Sequence, residues 1–166
     1  MAIAYLLAGG NLDNTIEKFN RLSDILQKQV GNIIGISKLY QSAPWGFESL
    51  HPFINQAIAI QTTLSPEKLL DEIQHIEKSF GRTKNNTKQY QDRSMDIDII
   101  FYDDVIIQSE RLTVPHPFMH LRRFVLTPLS EIAPQIIHPV LQKNITELSI
   151  ACEDKNEVQE IIVVSG

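Results

Sequence analysis

Apolar and polar positions along this chain follow two periods, and the switches between them mark its elements. Residues 2–8 are almost wholly apolar and read as a buried strand, which Gly9-Gly10-Asn11 turns into a helical segment. Leu12, Ile16, Phe19, Leu22, Leu26 and Val30 recur at helical spacing, with Asn11 as N-cap and Gly31 as stop. β-rich runs at residues 33–40 and 53–63 flank a loop holding Pro44-Trp45-Gly46 that is too long for a tight hairpin. Ser65-Pro66-Glu67 opens a second helix with proline in its first position, and Leu69, Leu70, Ile73, Ile76 and Phe80 line one stripe of it up to Gly81. Residues 82–93 are polar and show neither period. After them comes a strand holding Asp96 and Asp98, closed by a turn at Asp103-Asp104 before residues 105–107.

The order strand, helix, strand, strand, helix, strand is the split β-α-β pattern, so an α+β fold with a ferredoxin-like βαββαβ core is expected. Both helices would then cover one face of an antiparallel sheet. Side chains alternate along a strand, so Ile97, Ile99 and Phe101 are expected under the helices, while Asp96 and Asp98 project from the uncovered face. Beyond Val114 the periods fade. Pro115, Pro117, Pro128, Pro134 and Pro139 imply short helices and turns, and residues 158–164 imply a late strand.

Composition narrows the class. A chain of 166 residues suits a single domain spanning 1–166, and no apolar run approaches the roughly 20 residues of a membrane span. Residues 1–8 look like a strand rather than a signal peptide, since neither a basic start nor a small-residue cleavage site accompanies them. With Cys152 as the one cysteine no internal disulfide forms, and a cytoplasmic setting is expected. The net charge of −5 argues against a nucleic-acid partner. Basic residues nevertheless crowd one segment, where Lys78, Arg82, Lys84, Lys88 and Arg93 face the single acid Asp92, with Arg111, Arg122 and Arg123 further on. Such a local positive field on an acidic protein suits a small, highly charged anion such as a nucleoside triphosphate; scattered lysines in a solvated loop are the blander alternative.

The pair Asp96 and Asp98 carries the strongest chemical signal. Two residues apart on a strand, the carboxylates sit about 6–7 Å from one another on one face, and like charges so placed call for a cation. Mg²⁺ takes one or two carboxylates together with phosphate oxygens and water, which matches this spacing better than an all-protein cage does. An ordinary solvated acidic face is the alternative. Residues 81–93 are too polar to pack and too long for a routine connection, so they read either as a lid over a charged substrate or as plain disorder. Trp45, Phe53, Asn55 and Phe124 could hold a flat heterocycle by stacking and by an amide reading its edge, although Phe53 and Phe124 taken singly suit a core equally well. Gly9-Gly10-Asn11 lacks a full phosphate-loop fingerprint and is explained by a turn and a helix cap. His116 and His120 have the spacing of zinc ligands, but the flanking prolines oppose a regular helix and no further His or Cys completes a set; His116 could still touch phosphate.

Arg93-Ser94-Met95-Asp96-Ile97-Asp98-Ile99-Ile100, Arg111-Leu112-Thr113-Val114-Pro115-His116 and Arg122-Arg123-Phe124-Val125-Leu126-Thr127-Pro128-Leu129 together resemble the hydroxymethyl-dihydropterin pyrophosphokinases of folate biosynthesis. Residues 5–12, Gln74, Ile76, Glu77, Gly81-Arg82 and Glu131-Ile132-Ala133-Pro134 extend the similarity. The resemblance implies transfer of a pyrophosphoryl group from ATP to the hydroxymethyl of a reduced pterin, with AMP released. It implies Asp96 and Asp98 as ligands of two Mg²⁺ ions, and Arg82, Arg93, His116 and Arg122 as ATP or phosphate contacts. Leu70, Gln74, Glu77, Lys84, Tyr90, Ile99, Arg111 and Thr113 would complete the nucleotide site. Ser42, Ala43, Trp45, Phe53, Asn55, Asp96 and Phe124 would hold the pterin, with Phe53 and Phe124 as its stacking pair. A monomer acting on small molecules is implied.

The chain departs from the family pattern at Gln91-Asp92, where Gly-Pro is usual, and at Tyr90, Lys84, Gly10 and Pro117. Lysine does not reproduce a bidentate guanidinium grip, so altered affinity or lid closure is expected. Two alternatives stand beside this reading: a nucleotidyltransferase using the same acidic pair, and a non-catalytic small-molecule or RNA-binding module.

Overall fold

The structure is a computed structural model and describes residues 1–10, 15–42, 53–81 and 95–161. In chain order its elements are β1 (Ala2–Gly10), α1 (Thr15–Gln29), β2 (Gly31–Ile36), β3 (Tyr40–Ser42), β4 (Phe53–Thr62), α2 (Pro66–Ser79), β5 (Asp96–Tyr102), β6 (Ile107–Gln108), β7 (Thr113–Val114), a 3-10 turn (Met119–Leu121), α3 (Arg123–Ile132), α4 (Ile145–Ala151) and β8 (Val158–Glu160). The main sheet runs β5-β1-β4-β3-β8, with β2 also on β4, and its pairings are antiparallel. This is the expected α+β, ferredoxin-like arrangement. No helix among the described residues is long and apolar enough to cross a membrane.

α1 and α2 pack on one face of the sheet for the reason their periodicity foretells. Phe19, Leu22 and Leu26 from α1 and Leu69, Ile73 and Ile76 from α2 meet Ala4, Leu6, Ala8, Ile54, Ile58 and Ile60 of the central strands in one buried cluster. Ile16, expected in the α1 stripe, lies 46% exposed instead, while Asn11 and Leu12 lie outside the described residues. α2 begins as expected: the Ser65 side chain accepts the Lys68 N–H and Pro66 takes the first turn. Gly81 ends it in the left-handed region at φ 95°, which glycine adopts without steric cost. α1 ends at Gln29, just ahead of Gly31 as expected, and Gly31 is at once the first residue of β2. A Cβ there would lie 1.9 Å from the Gln61 carbonyl oxygen, so close strand approach demands glycine.

Two irregularities correct the simple alternation. The run expected at residues 33–40 is split, with a shift between Ile33 and Gly35 and a gap at residues 37–39. Ser37 stitches that gap, its N–H donating to the Ala57 carbonyl and its Oγ accepting the Ala57 N–H, each at 2.9 Å. In β5, Ile99 faces Leu6 while Phe101 faces Tyr5, so Ile100 is an extra residue against β1. Such a bulge advances the side-chain phase by one position. Ile97 and Ile99 therefore lie under α1 and α2 as expected. Phe101 turns to the opposite face, edge-on to Tyr5 at 6.1 Å and to His138 at 5.8 Å.

That opposite face, expected to be open, is half covered. Val125, Leu126 and Leu129 of α3 and Ile145 and Leu148 of α4 bury Leu7, Ala57, Ile100 and Phe101 in a second cluster. Both helices are short, as expected, at 10 and 7 residues; Pro128 lies inside α3 and Pro134 just beyond its end, whereas α4 holds no proline. α4 carries a reciprocal cap in which Asn144 accepts the Glu147 N–H and Glu147 accepts the Asn144 N–H. Of the late strand, Val158–Glu160 pairs with β3 and the residues after 161 lie outside the described part.

Candidate active site

Sheet register brings the candidate residues together. Asp96 of β5 stands opposite Gly9 of β1, Gly9 opposite Asn55 of β4, and Asn55 opposite Tyr40 of β3, so Asp96 and Asn55 share one face with a glycine between them. One row further, Asp98 faces Leu7 and Leu7 faces Ala57, which places both aspartates on the face carrying α3. α3 covers Leu7 and Ala57. Asp98 is exposed and Asp96 half-exposed at the end of that face.

Gly9 makes the arrangement possible. A Cβ at that position would meet Asn55 Oδ1 at 2.6 Å and Phe53 Cε1 at 3.1 Å, so the amide and the ring lean directly over the β1 backbone. Gly9 and Gly10 belong to β1 and not to a turn. A glycine inside a strand signals close approach of another group, and that signal identifies Gly9 as part of the site. Adjacent strands lie about 4.8 Å apart, which sets Asn55 roughly 10 Å from Asp96, a gap wide enough for a small bicyclic ring. Asn55 is buried, as is Ser42 on β3, which faces Phe53.

A second set closes on Asp98 from the loop before α3. The His116 N–H donates to the Ile100 carbonyl at 3.0 Å, and His116 Nδ1 accepts the Phe118 N–H at 3.3 Å. Burial lowers the His116 imidazole below its ordinary value; the Asp98 carboxylate opposes that shift and the Arg122 guanidinium reinforces it, so these three groups lie within one another's field. The Arg122 guanidinium sits 5.4 Å from the centre of the Phe118 ring and 5.8 Å from that of Phe124. Two aromatic faces thus orient it without neutralising it. Phe124, in the first turn of α3, is half-buried at the edge of the second cluster.

α2 and the β6–β7 hairpin form the flank beyond β5. Glu77 is buried, and its Oε2 accepts the Ile97 N–H at 2.8 Å, between the two aspartates. Leu70 is half-buried and Gln74 exposed along the same helix, at spacings that share a side with Glu77. Arg111 donates to Asp71 and ties the hairpin to α2; that bond and the Asp71 charge raise the Arg111 guanidinium further above its ordinary value. Thr113 is half-buried on β7, and Ile99 is buried under the helices. Ala43, Trp45, Arg82, Lys84, Tyr90 and Arg93 lie outside the described residues, as does the expected lid apart from Gly81.

His120 does not join His116. Its ring lies 6.3 Å from that of buried His138, whose Nδ1 accepts the N–H groups of Val140 and Leu141. Arg123, which no sequence pattern places, points away from its neighbour's task. Its guanidinium donates to the carbonyls of Asp154, Cys152 and Ser149, and its N–H to Asp154 Oδ2 at 2.9 Å. The contact between Tyr40 and Glu131 also escapes sequence reasoning: the Tyr40 hydroxyl donates to Glu131 Oε1 at 2.6 Å, and burial together with that bond pushes the phenol up.

The donor set fits a hard divalent ion that brings its own anions. Among the described residues no group of three or more metal-ligating side chains exists, so an all-protein cage is not formed there. Two carboxylates on one strand face, reachable from solvent, match an ion completed by phosphate oxygens and water.

Comparison with known proteins agrees with this geometry. Residues 5–134 match the family model of 7,8-dihydro-6-hydroxymethylpterin-pyrophosphokinase (HPPK). The chain is 43% identical over 141 residues to a 2-amino-4-hydroxy-6-hydroxymethyldihydropteridine pyrophosphokinase of Porphyromonas gingivalis, covering 84% of this chain and 95% of that one. It is 41% identical over 149 residues to the protein of the same name from Haemophilus influenzae, covering 89% and 91%. The fold superposes on the crystal structure of wild-type Plasmodium falciparum HPPK-DHPS with a TM-score of 0.74 at 18% identity, covering 90% of this chain and 44% of that longer one. The chain therefore belongs to the 7,8-dihydro-6-hydroxymethylpterin-pyrophosphokinase family and is an ATP-dependent diphosphotransferase of folate biosynthesis.

Proposed function

We propose that this enzyme moves the β,γ-diphosphate of ATP onto the hydroxymethyl group of 6-hydroxymethyl-7,8-dihydropterin and releases AMP. The observation that carries the reading is the shared sheet face on which Asp96 and Asp98 stand across Gly9 from Asn55 and Phe53. On this reading the Asp96 and Asp98 side is the phosphate end and the Asn55 and Phe53 side the heterocycle end. The pterin hydroxyl oxygen attacks the β-phosphorus in line, the bond from that phosphorus to the α,β-bridging oxygen breaks, AMP leaves, and the hydroxyl proton passes to water.

The chain's own work is positioning and electrostatics. Asn55 presents its amide to the pterin edge, Phe53 and Phe124 stack on its faces, and Ser42, Ala43 and Trp45 complete its pocket. Asp96 and Asp98 hold two Mg²⁺ ions, which when bound neutralise charge on the phosphate oxygens. Arg122, held between two rings, and His116 address the phosphates from the α3 side. Arg82, Lys84, Tyr90 and Arg93, which in the sequence lie between α2 and β5, bind ATP on this reading. Leu70, Gln74, Glu77, Ile99, Arg111 and Thr113 line the nucleotide. The enzyme works as a cytoplasmic monomer, as one domain, on small molecules alone.

Product analysis with labelled ATP tests the reaction. AMP with a diphosphorylated pterin supports it; free pyrophosphate with nucleotide transferred to an acceptor would replace it with nucleotidyl transfer. Calorimetry supplies the metal test, because ATP binding that is indifferent to Mg²⁺ sinks the assignment of Asp96 and Asp98.

A further inference from the structure

Arg122 and Arg123 are consecutive, yet their side chains are bound in different ways. Arg122 is flanked by Phe118 and Phe124, whereas Arg123 spends its donors on the chain that leaves α4. The bonds form a lock. The α3 N-terminus has no cap from its own N-cap side chain, and Asp154, from 31 residues further on, accepts the first free N–H instead. The Asp154 carboxylate is held in turn, its Oδ1 accepting the Asn156 N–H at 3.0 Å. Burial by itself would raise this carboxyl, but the N–H groups of Asn156 and Arg123 and the Arg123 charge outweigh it and hold Asp154 below its ordinary value.

The same segment then reaches the other side of the pocket. Four residues past Asp154 it becomes β8, where Val158 pairs with Ser42 and Glu160 with Tyr40 of β3. One short stretch is thus bonded both to the helix start bearing Arg122 and Phe124 and to the strand bearing Ser42, which in turn faces Phe53. This stretch lies beyond residue 134, where the family match ends.

We propose that residues 152–160 are a brace that sets the width of the pterin pocket, with Asp154 a positioning residue that acts through Arg123 on Phe124 and Arg122. The inference rests on the proposed assignment of Phe124, Ser42 and Arg122 to substrate. An aromatic slot stacks both ring faces only at one separation, so a helix start that shifts by a fraction of an ångström weakens stacking before it unfolds anything.

Steady-state kinetics on Asp154→Ala and Asp154→Asn, with each substrate varied, test it. The brace predicts that Asp154→Ala raises the pterin KM at least fivefold, and that Asp154→Asn, which keeps one acceptor oxygen, restores it to within twofold. A purely structural contact lowers the thermal midpoint and the active fraction but leaves KM where it was; an unchanged pterin KM in folded Asp154→Ala therefore overturns the proposal. Where Asp154→Ala does not fold, Arg123→Gln keeps the N–H on Asp154 and loses the guanidinium bonds. A pterin KM at least doubled then supports the brace, and an unchanged one overturns it. Failure of the unaltered protein to form AMP and diphosphorylated pterin would instead sink the reaction itself, which keeps the two failures apart.

Discussion

The two faces of the sheet are built to opposite rules. Under α1 and α2 the face is apolar at Ala4, Leu6 and Ala8 and at Ile54, Ile58 and Ile60, with the buried Gln56 as a polar exception opposite Ala8, and two amphipathic helices cover it. On the other face α3 and α4 cover Leu7, Ala57, Ile100 and Phe101, and beyond them the surface turns to Asp98, Asp96 and Asn55. The first face supplies stability by burying hydrocarbon. The second adds to that at one end and places its polar groups at the other, so substitutions on the two faces should divide between folding and catalysis.

The largest expected effect is on the polar end. Unit charges about 4 Å apart at an effective dielectric near 20 interact by roughly 4 kcal/mol, so Asp98→Ala or Asp96→Ala should cost about a thousandfold in kcat/KM. Circular dichroism and the thermal midpoint should barely move. Turnover within tenfold of the unaltered enzyme would remove these residues from the phosphate site and blur the contrast between the faces.

Leu22→Ala, in the fully buried α1 stripe, should show the converse. A buried leucine truncated to alanine costs about 2–5 kcal/mol of stability. Urea unfolding should report that loss while KM for both substrates stays put in the folded fraction; a large KM change would show that the helix-covered face also shapes the site.

Gly9→Ala probes the boundary between sheet and ligand. The added Cβ must displace Asn55 or Phe53, which it would otherwise approach to 2.6 and 3.1 Å. About a tenfold rise in the pterin KM is expected, with ATP binding changed less; overpacking of this kind typically costs about 1–3 kcal/mol. Equal losses for both substrates would argue against a pocket over Gly9.

The smallest effect concerns pH. Burial, then the neighbouring His120, lowers the His138 imidazole below its ordinary value of 6.5, and its Nδ1 must stay unprotonated to accept the N–H groups of Val140 and Leu141. The unfolded chain therefore binds the extra proton first. Stability is full above the ordinary value and falls as pH drops from there toward the folded-state value. Unfolding midpoints measured from neutral pH downward should show this slope, and His138→Gln should flatten it; an unchanged slope would assign the acid sensitivity elsewhere.

Legibility divides along the same line. α2 can be read to its first residue because Ser65-Pro66 is a local signal, and Leu69, Ile73 and Ile76 recur at its own period. Phe101 escapes such reading because a bulge depends on the partner strand, not on the strand that carries it. The cover over the second face is invisible for a related reason: α3 carries Pro128 in its interior, α4 spans only 7 residues, and helices so short depend on packing against the sheet. Gly9 leaves a trace, but one that reads as a turn. Arg123 leaves none, since its partners at Ser149, Cys152 and Asp154 lie 26 to 31 residues away.

By itself the sequence determined the order of elements, the pairing of the two aspartates on one strand face and the family that such a set of motifs belongs to. These are local properties, set by side-chain period and residue chemistry along one segment. Only the tertiary structure decided which face α3 and α4 close, that Gly9 clears room for Asn55 and Phe53, and that Arg122 is left beside the site while Arg123 is tied away. Those outcomes depend on strand register and on contacts between distant segments, and no local pattern encodes them.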